Sequence, residues 1–267
     1  MFRTIESSEP QPATLEGLQF VTVKSKALRG RGDITLFAPR EAASLADVPL
    51  VLLLHGVYGS HWAWAVKGRA HQTLQRMVTA GDIPPMALAM PSDGLWGDGS
   101  GYLPHAEQNF EQWIVADVPA AAITTLPCVS EKSPRFIAGL SMGGFGALRI
   151  GAKYPQQFRG IAGHSSITHF EQLKLFVEEP LDCYHAQPED HSVLNTLRRH
   201  RDTLPAIRFD CGTEDLLIEP NRELHRALTA EGIAHHYEEF PGGHEWRYWE
   251  THLKDTLKFF GSVLAVK

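Results

Sequence analysis

The stretch Arg135–Tyr154, RFIAGLSMGGFGALRIGAKY, decides how this sequence folds. Its opening, RFIAGL, is a short apolar run of the kind carried by a strand buried on both faces. The closing GGFGALRIGAKY reads as a helix that must stop before Pro155, since proline disfavours helical backbone at the residue before it. Between them lies Gly139-Leu140-Ser141-Met142-Gly143, a G-x-S-x-G match. The pentapeptide alone is a weak signal. Flanked by strand and helix, it describes a sharp, strained turn that stands a serine hydroxyl clear at the C-terminal edge of a sheet. Side chains at the flanking positions would collide there, so Gly139 and Gly143 have to be small, and Gly144 and Ala147 let the helix lie close on the sheet.

The same alternation continues on both sides. Leu18–Ser25 and Asp33–Pro39 alternate polar and apolar residues and read as antiparallel strands at one edge. Pro49–Gly56, Met86–Pro91, Gly160–Ser165 and Ala206–Gly212 are continuous apolar runs, whereas His235–Phe240 is more polar and suits an outer strand. Helical spacing links Phe110, Trp113, Ile114, Val118 and Ala121, and again Trp249, Leu253, Leu257, Phe260 and Leu264. Leu224, Ala227 and Leu228 form a third stripe, with Pro220 near its start and Gly232 just past its end. Strands alternating with helices predict βαβ units, a mostly parallel sheet and helices on both faces. We read residues 1–267 as one α/β domain, with 168–205 as an insertion capping one end of the sheet.

Composition narrows the function classes. The charged and hydrophobic fractions, 21% and 43%, are ordinary for a globular protein, and a net charge of −6 offers no basic footprint for nucleic acid. No apolar run approaches the roughly 20 residues of a membrane span. The N-terminal MFRTIESSEPQPATLEG has no apolar core and is not expected to be a signal peptide. Cys128, Cys183 and Cys211 are odd in number and widely spaced, which favours reduced thiols in a cytoplasmic protein over disulfides or zinc. No metal is expected, for want of H-E-x-x-H or a carboxylate–His cluster, and no nucleotide cofactor, for want of a Walker A. Oligomeric state stays open, a homo-oligomer included.

A serine hydroxyl is a poor nucleophile until a base takes its proton and a third group fixes that base in one tautomer. In strand–turn–helix sites of this kind the acid, then the His, follow the serine along the chain. Five histidines lie at or beyond position 225. His225 falls in a helix pattern, His235 and His236 open a strand, and His252 sits in the last helix. Only His244, in the loop Pro241-Gly242-Gly243-His244, can reach back over the sheet edge; the plain alternative is a solvated loop histidine. For the acid, Asp215 follows a buried strand by a few residues, with Asp210 and Glu214 as competitors. A second match, Gly163-His164-Ser165-Ser166-Ile167, lacks the final Gly and is expected to end a strand at the site's rim. Two backbone N–H groups aimed at a developing oxyanion are each worth about 2.7–4 kcal/mol. One candidate is Met142; the other is Val57, with Tyr58 second, in a loop that Gly56 and Gly59 allow to bend.

With these residues assembled, the segments RGRGDITLFAP, LLLHGVYGSHWAW, GLSMGGFGALRIGAKYP, CGTEDLLIEPNRELHRAL and PGGHEWRYWETHL span most of the chain. As a set they resemble the branch of the α/β-hydrolases that holds esterase D (S-formylglutathione hydrolase), tributyrin esterases, feruloyl esterases and mycolyltransferases. The resemblance implies an α/β-hydrolase fold, a triad of Ser141, Asp215 and His244, and Val57 and Met142 as oxyanion donors. It implies hydrolysis of a small ester through an acyl-enzyme; short acyl chains are the default because no long apolar groove-forming segment stands out in the sequence. The HGVYG loop places the chain nearer the tributyrin esterases than S-formylglutathione hydrolase. The alternatives are a thioesterase of the latter type, an acyltransferase on the same triad, and a catalytically silent binding protein. The loop Asp93–His105, DGLWGDGSGYLPH, departs from the family pattern. From it Trp96, Asp98 and Tyr102 join Tyr58 as candidate substrate-binding residues, bracing of the loop being the other reading of those three.

Overall fold

The computed structural model describes residues 5–8 and 15–265, so most of the N-terminal segment read for a targeting signal lies outside the described residues. Its strands are β1 (Ile5–Ser8), β2 (Leu18–Ser25), β3 (Gly30–Phe37), β4 (Leu50–Leu54) and β5 (Ala87–Pro91). After a two-stranded hairpin, β6 (Pro104–His105) and β7 (Gln108–Asn109), come β8 (Arg135–Leu140), β9 (Gly160–His164), β10 (Ala206–Gly212) and β11 (His236–Phe240). The main sheet runs β1-β2-β3-β5-β4-β8-β9-β10-β11. β1 to β3 are antiparallel, β3 joins β5 antiparallel, and every pairing from β5 through to β11 is parallel. β3 starts earlier than the polar–apolar alternation suggested, because Arg31 and Gly30 pair with Lys24 and Ser25 of β2.

The continuous apolar runs are explained by two cores. Along β4, Leu50, Leu52 and Leu54 face one core while Val51 and Leu53 face the other, the period-two alternation of a strand buried on both sides. The first core takes in α3 (Phe110–Gln112), which passes through a π-turn at Trp113–Asp117 into α4 (Val118–Thr125), together with α5 (Met142–Lys153) and α7 (Ile218–Ala230). The second is covered by α1 (Ala63–Val66), α2 (Ala70–Thr79) and α8 (Trp246–Ala265). None of the helices described is long and apolar enough to cross a membrane.

Residues 168–205 form 3₁₀ turns at Phe170–Leu175, Leu181–Tyr184 and Pro188–Asp190, followed by α6 (Val193–Arg199). Buried charges pin this segment to the sheet layer. Arg149 Nη1 and Lys153 Nζ of α5 lie 2.9 and 2.8 Å from Asp190 Oδ1, and Lys153 Nζ also lies 2.9 Å from Glu111. β8 sits inside the parallel array between β4 and β9, so the loops leaving β4, β8, β10 and β11 gather at one edge, where ligands of open α/β sheets bind.

Candidate active site

Ser141 joins β8 to α5 with φ 55° and ψ −119°, a conformation costing about 1–3 kcal/mol that its surroundings must hold in place. Its N–H donates to His164 O at 2.9 Å, and its carbonyl accepts from Ile167 N–H at 3.2 Å. The two flanking glycines are small for the reason read from the sequence: an added Cβ on Gly139 would lie 2.2 Å from Gly143 O, and one on Gly143 2.3 Å from Leu54 O.

His244 arrives from the loop between β11 and α8. Its Nε2 is 3.0 Å from Ser141 Oγ, and its Nδ1 is 3.0 Å from each Asp215 carboxylate oxygen. A carboxylate only accepts, so Nδ1 carries the proton and Nε2 keeps its lone pair toward the serine hydroxyl. The loops bearing acid and base are laced together: Thr213 N–H donates to Phe240 O and Glu214 N–H to Gly242 O, both at 2.9 Å. Asp215 is buried and also accepts the Leu217 N–H at 2.8 Å. The imidazole is packed between Phe176, stacked at 5.2 Å and 25°, and Trp249, edge-on at 5.0 Å and 90°.

The other candidates lie elsewhere. Glu214 is exposed. Asp210 lies inside β10, fully buried, accepting from Tyr248 Oη at 2.9 Å and paired with Arg208 and His164. His164 does not face the site's rim as expected. It is wholly buried, with Nδ1 3.1 Å from Asp210 Oδ1 and Nε2 3.0 Å from Thr256 Oγ1, because β9 turns this side chain under α8. His225 pairs with His235 at 2.8 Å, His236 packs edge-on against Phe259, and His252 stacks on Phe240.

Burial pushes the Asp210 carboxyl up, but the His164 and Arg208 contacts outweigh it and hold it at about 2. A depressed folded-state pKa contributes stability that is complete above the ordinary carboxylate value, about 4, and is lost as pH falls through about 2. Asp210→Asn should therefore lower stability at neutral pH by about 1–3 kcal/mol, since it takes one carboxylate from buried Arg208 and leaves that guanidinium with only the half-exposed Glu238, 2.9 Å away. It should also flatten the loss between pH 4 and 2. Thermal melts across that range check both, and a variant as stable as the parent at pH 7 would contradict them.

Of the two oxyanion candidates in the loop after β4, Tyr58 has its N–H committed to Asp98 O at 3.0 Å. The Val57 and Met142 N–H groups donate to no protein acceptor among the described residues. The cleft over Ser141, about 430 Å³, is lined by Val57, Tyr58, Trp62, Lys67, Phe176, His244, Trp246 and Trp249 among others. Tyr58 is thus at the cleft, with its hydroxyl 3.1 Å from Asp98 Oδ2. Trp96 and Tyr102 are not. Tyr102 is fully buried and donates its hydroxyl to His55 O at 3.1 Å, while Trp96 packs edge-on against His105 and Tyr184. Both brace the 93–105 loop, whose glycine-rich backbone folds inward on its own polar groups. Sequence reasoning passes over Trp62, Phe176 and Trp246, and reads Trp249 only as part of a helical stripe. The last two lie two and five residues after His244, a proximity signal; Phe176 reaches the site only through the fold of the insertion.

Known proteins resemble this chain in sequence and in fold. The family described as "Putative esterase" matches residues 25–260. An acetyl esterase of Caldicellulosiruptor saccharolyticus is 27% identical over 236 residues, covering 81% of this chain and 85% of its own. Among solved structures, a ferulic acid esterase superposes with a TM-score of 0.78 at 24% identity, covering 92% of this chain and 98% of that one. An S-formylglutathione hydrolase from Staphylococcus aureus does so with 0.77 at 15% identity, covering 96% and 99%. These likenesses show the α/β-hydrolase fold, and with the family match running from β2 to within α8 the chain belongs to the "Putative esterase" family.

Proposed function

We propose that the protein is a serine carboxylesterase that hydrolyses short-chain acyl esters through an acyl-enzyme intermediate. The observation that carries this reading is the unbroken hydrogen-bonded chain from Asp215 through His244 to Ser141 Oγ, each link 3.0 Å, opening into a cleft. Ser141 Oγ attacks the ester carbonyl as His244 Nε2 takes its proton, and the carbonyl oxygen, now negative, lies between the Val57 and Met142 N–H groups. Collapse expels the alcohol, which takes the proton from His244. Water, deprotonated by the same imidazole, then attacks the acyl-serine; the acid leaves as the imidazolium returns the proton to Ser141 Oγ.

A short acyl group suits a cleft at the lower end of the volumes typical of small-molecule sites, and the acetyl esterase relative points the same way. We take residues 1–267 as one catalytic domain with 168–205 as its cap, on the ground that Phe176 of that segment stacks on His244. Three free cysteines support a reducing, cytoplasmic setting.

The test is a p-nitrophenyl ester series from acetate upward, run beside S-formylglutathione and with a fluorophosphonate label. Turnover is expected to be highest on the shortest esters, with one label attached to Ser141. Preference for S-formylglutathione would make the protein a thioesterase of that type. Failure of both turnover and labelling would sink the enzyme reading.

A further inference from the structure

We propose that His55 is a positioning residue of this acyl-transfer site, holding the Gly56–Val57 peptide from behind so that the Val57 N–H points at the oxyanion. The inference rests on the acyl-transfer reading above.

His55 follows β4 directly and is 2% exposed. Its Nε2 lies 3.0 Å from the backbone nitrogen of Asp93, a group that can only donate, so Nε2 holds the lone pair. The ring proton of the neutral imidazole is then on Nδ1, which lies 2.7 Å from Gly56 O, a group that can only accept. Two backbone partners of fixed polarity thus determine the tautomer.

The consequence is geometric. The Gly56–Val57 peptide is trans, so its C=O and N–H point in opposite directions. Drawing Gly56 O back onto the imidazole sends the Val57 N–H the other way, and Val57 lines the cleft beside Ser141. Gly56 O also accepts from Gly59 N–H at 3.1 Å, closing a tight turn. That turn has no room for a side chain, since a Cβ on Gly59 would sit 2.4 Å from His55 Nδ1.

What fixes His55 in turn is the loop whose function the sequence left unassigned. Asp93 Oδ1 accepts the Leu95 N–H at 2.9 Å and Oδ2 the Ser100 N–H at 2.6 Å, while Ser100 Oγ donates to Asp93 O at 2.8 Å. Tyr102 Oη reaches the His55 carbonyl at 3.1 Å. The 93–105 loop is a brace behind the oxyanion peptide. Without the imidazole, Gly56 O keeps only the Gly59 bond, and the peptide can rotate the Val57 N–H off its line.

Two substitutions separate positioning from packing. In His55→Asn the amide nitrogen can stand where Nδ1 stood and still donate to Gly56 O; in His55→Gln the amide falls near Nε2 and serves Asp93 instead. His55→Gln should lose about 10–100-fold in kcat on a short p-nitrophenyl ester, part of the 10²–10³ that a whole oxyanion donor contributes. Its KM should stay within about threefold, as for an interaction made only in the transition state. Affinity for a boronic acid that forms a tetrahedral adduct on Ser141 should fall in step with kcat/KM, and affinity for the product acid should not move. His55→Asn should restore most of the kcat. The idea fails if His55→Gln keeps wild-type kcat, or if both variants lose activity in proportion to their melting temperatures with boronate affinity unchanged.

Selective ¹⁵N-histidine labelling reads the wild-type ring directly, the His55 signals being those with through-space contacts to the Asp93 and Gly59 amide protons. Protonated Nδ1 with bare Nε2 is expected, and the opposite tautomer overturns the proposal even if neither variant folds. A wild type with no ester turnover would overturn the functional reading instead, and the ring spectrum would still decide the orientation of the peptide.

Discussion

Ser141→Ala is expected to lower kcat by roughly 10⁵–10⁶-fold while leaving the fold intact. The substitution removes one oxygen, whose hydrogen-bond partner is His244 Nε2. It adds no strain, because alanine carries the same Cβ into the φ 55° turn that serine does, and the backbone bonds to His164 and Ile167 do not involve the side chain. The residual rate, about 10³–10⁴ above water, should come from the oxyanion donors and binding alone. Steady-state kinetics beside a thermal melt separates lost chemistry from lost structure. A folded variant keeping a hundredth of the parental kcat would mean that another group attacks the ester. The neighbouring Ser165 and Ser166 are poor substitutes, since both are fully buried.

The parts of this site legible in the sequence are those where local sterics and chain order coincide. Gly139 and Gly143 announce the turn because no other residue fits against the Gly143 and Leu54 carbonyls, and RFIAGL defines its strand to the residue. His244 stands out because it is the histidine in a loop after the last strand. Asp215 could be ranked above Asp210 only by its place past the strand end, and the structure supplies the reason: a strand residue at 210 turns into the layer under α8, where Arg208, His164 and Tyr248 meet it. The same packing hid the fate of His164.

Other features were illegible or overlooked for different reasons. α2 carries Ala70, Leu74, Met77 and Val78 at helical spacing, so its signal was present. β1 has none, since IESS is held by its ladder to β2 and not by an apolar pattern. Trp96 and Tyr102 resemble pocket residues by type, yet hydrogen bonds from the 93–105 loop to its own backbone turn them inward. Phe176 meets His244 only because residues 168–205 are anchored at Asp190 by Arg149 and Lys153, a tertiary contact that no local pattern encodes.

Asp215→Asn is the second large effect expected, a loss of about 10⁴-fold in kcat with little change in stability. The reason is the proton on the imidazole. Asp215 Oδ1 accepts the Leu217 N–H at 2.8 Å, and both carboxylate oxygens lie 3.0 Å from His244 Nδ1. An asparagine must keep its carbonyl oxygen on Leu217, because the reverse orientation sets an amide donor against a backbone donor. Its NH₂ then faces Nδ1, which has to become the acceptor, and the ring proton moves to Nε2. An imidazole protonated at Nε2 cannot take the Ser141 proton, although distances and packing are unchanged. Fluorophosphonate labelling of Ser141 should slow along with kcat, since it needs the same activated hydroxyl. Asp210→Asn is the matched control: it should cost stability through Arg208 and leave the kcat of the folded fraction largely intact. If instead Asp215→Asn turns over normally and Asp210→Asn does not, the imidazole is oriented from beneath the sheet edge, and the hydrogen-bonded chain above β8 is not the one that catalysis uses.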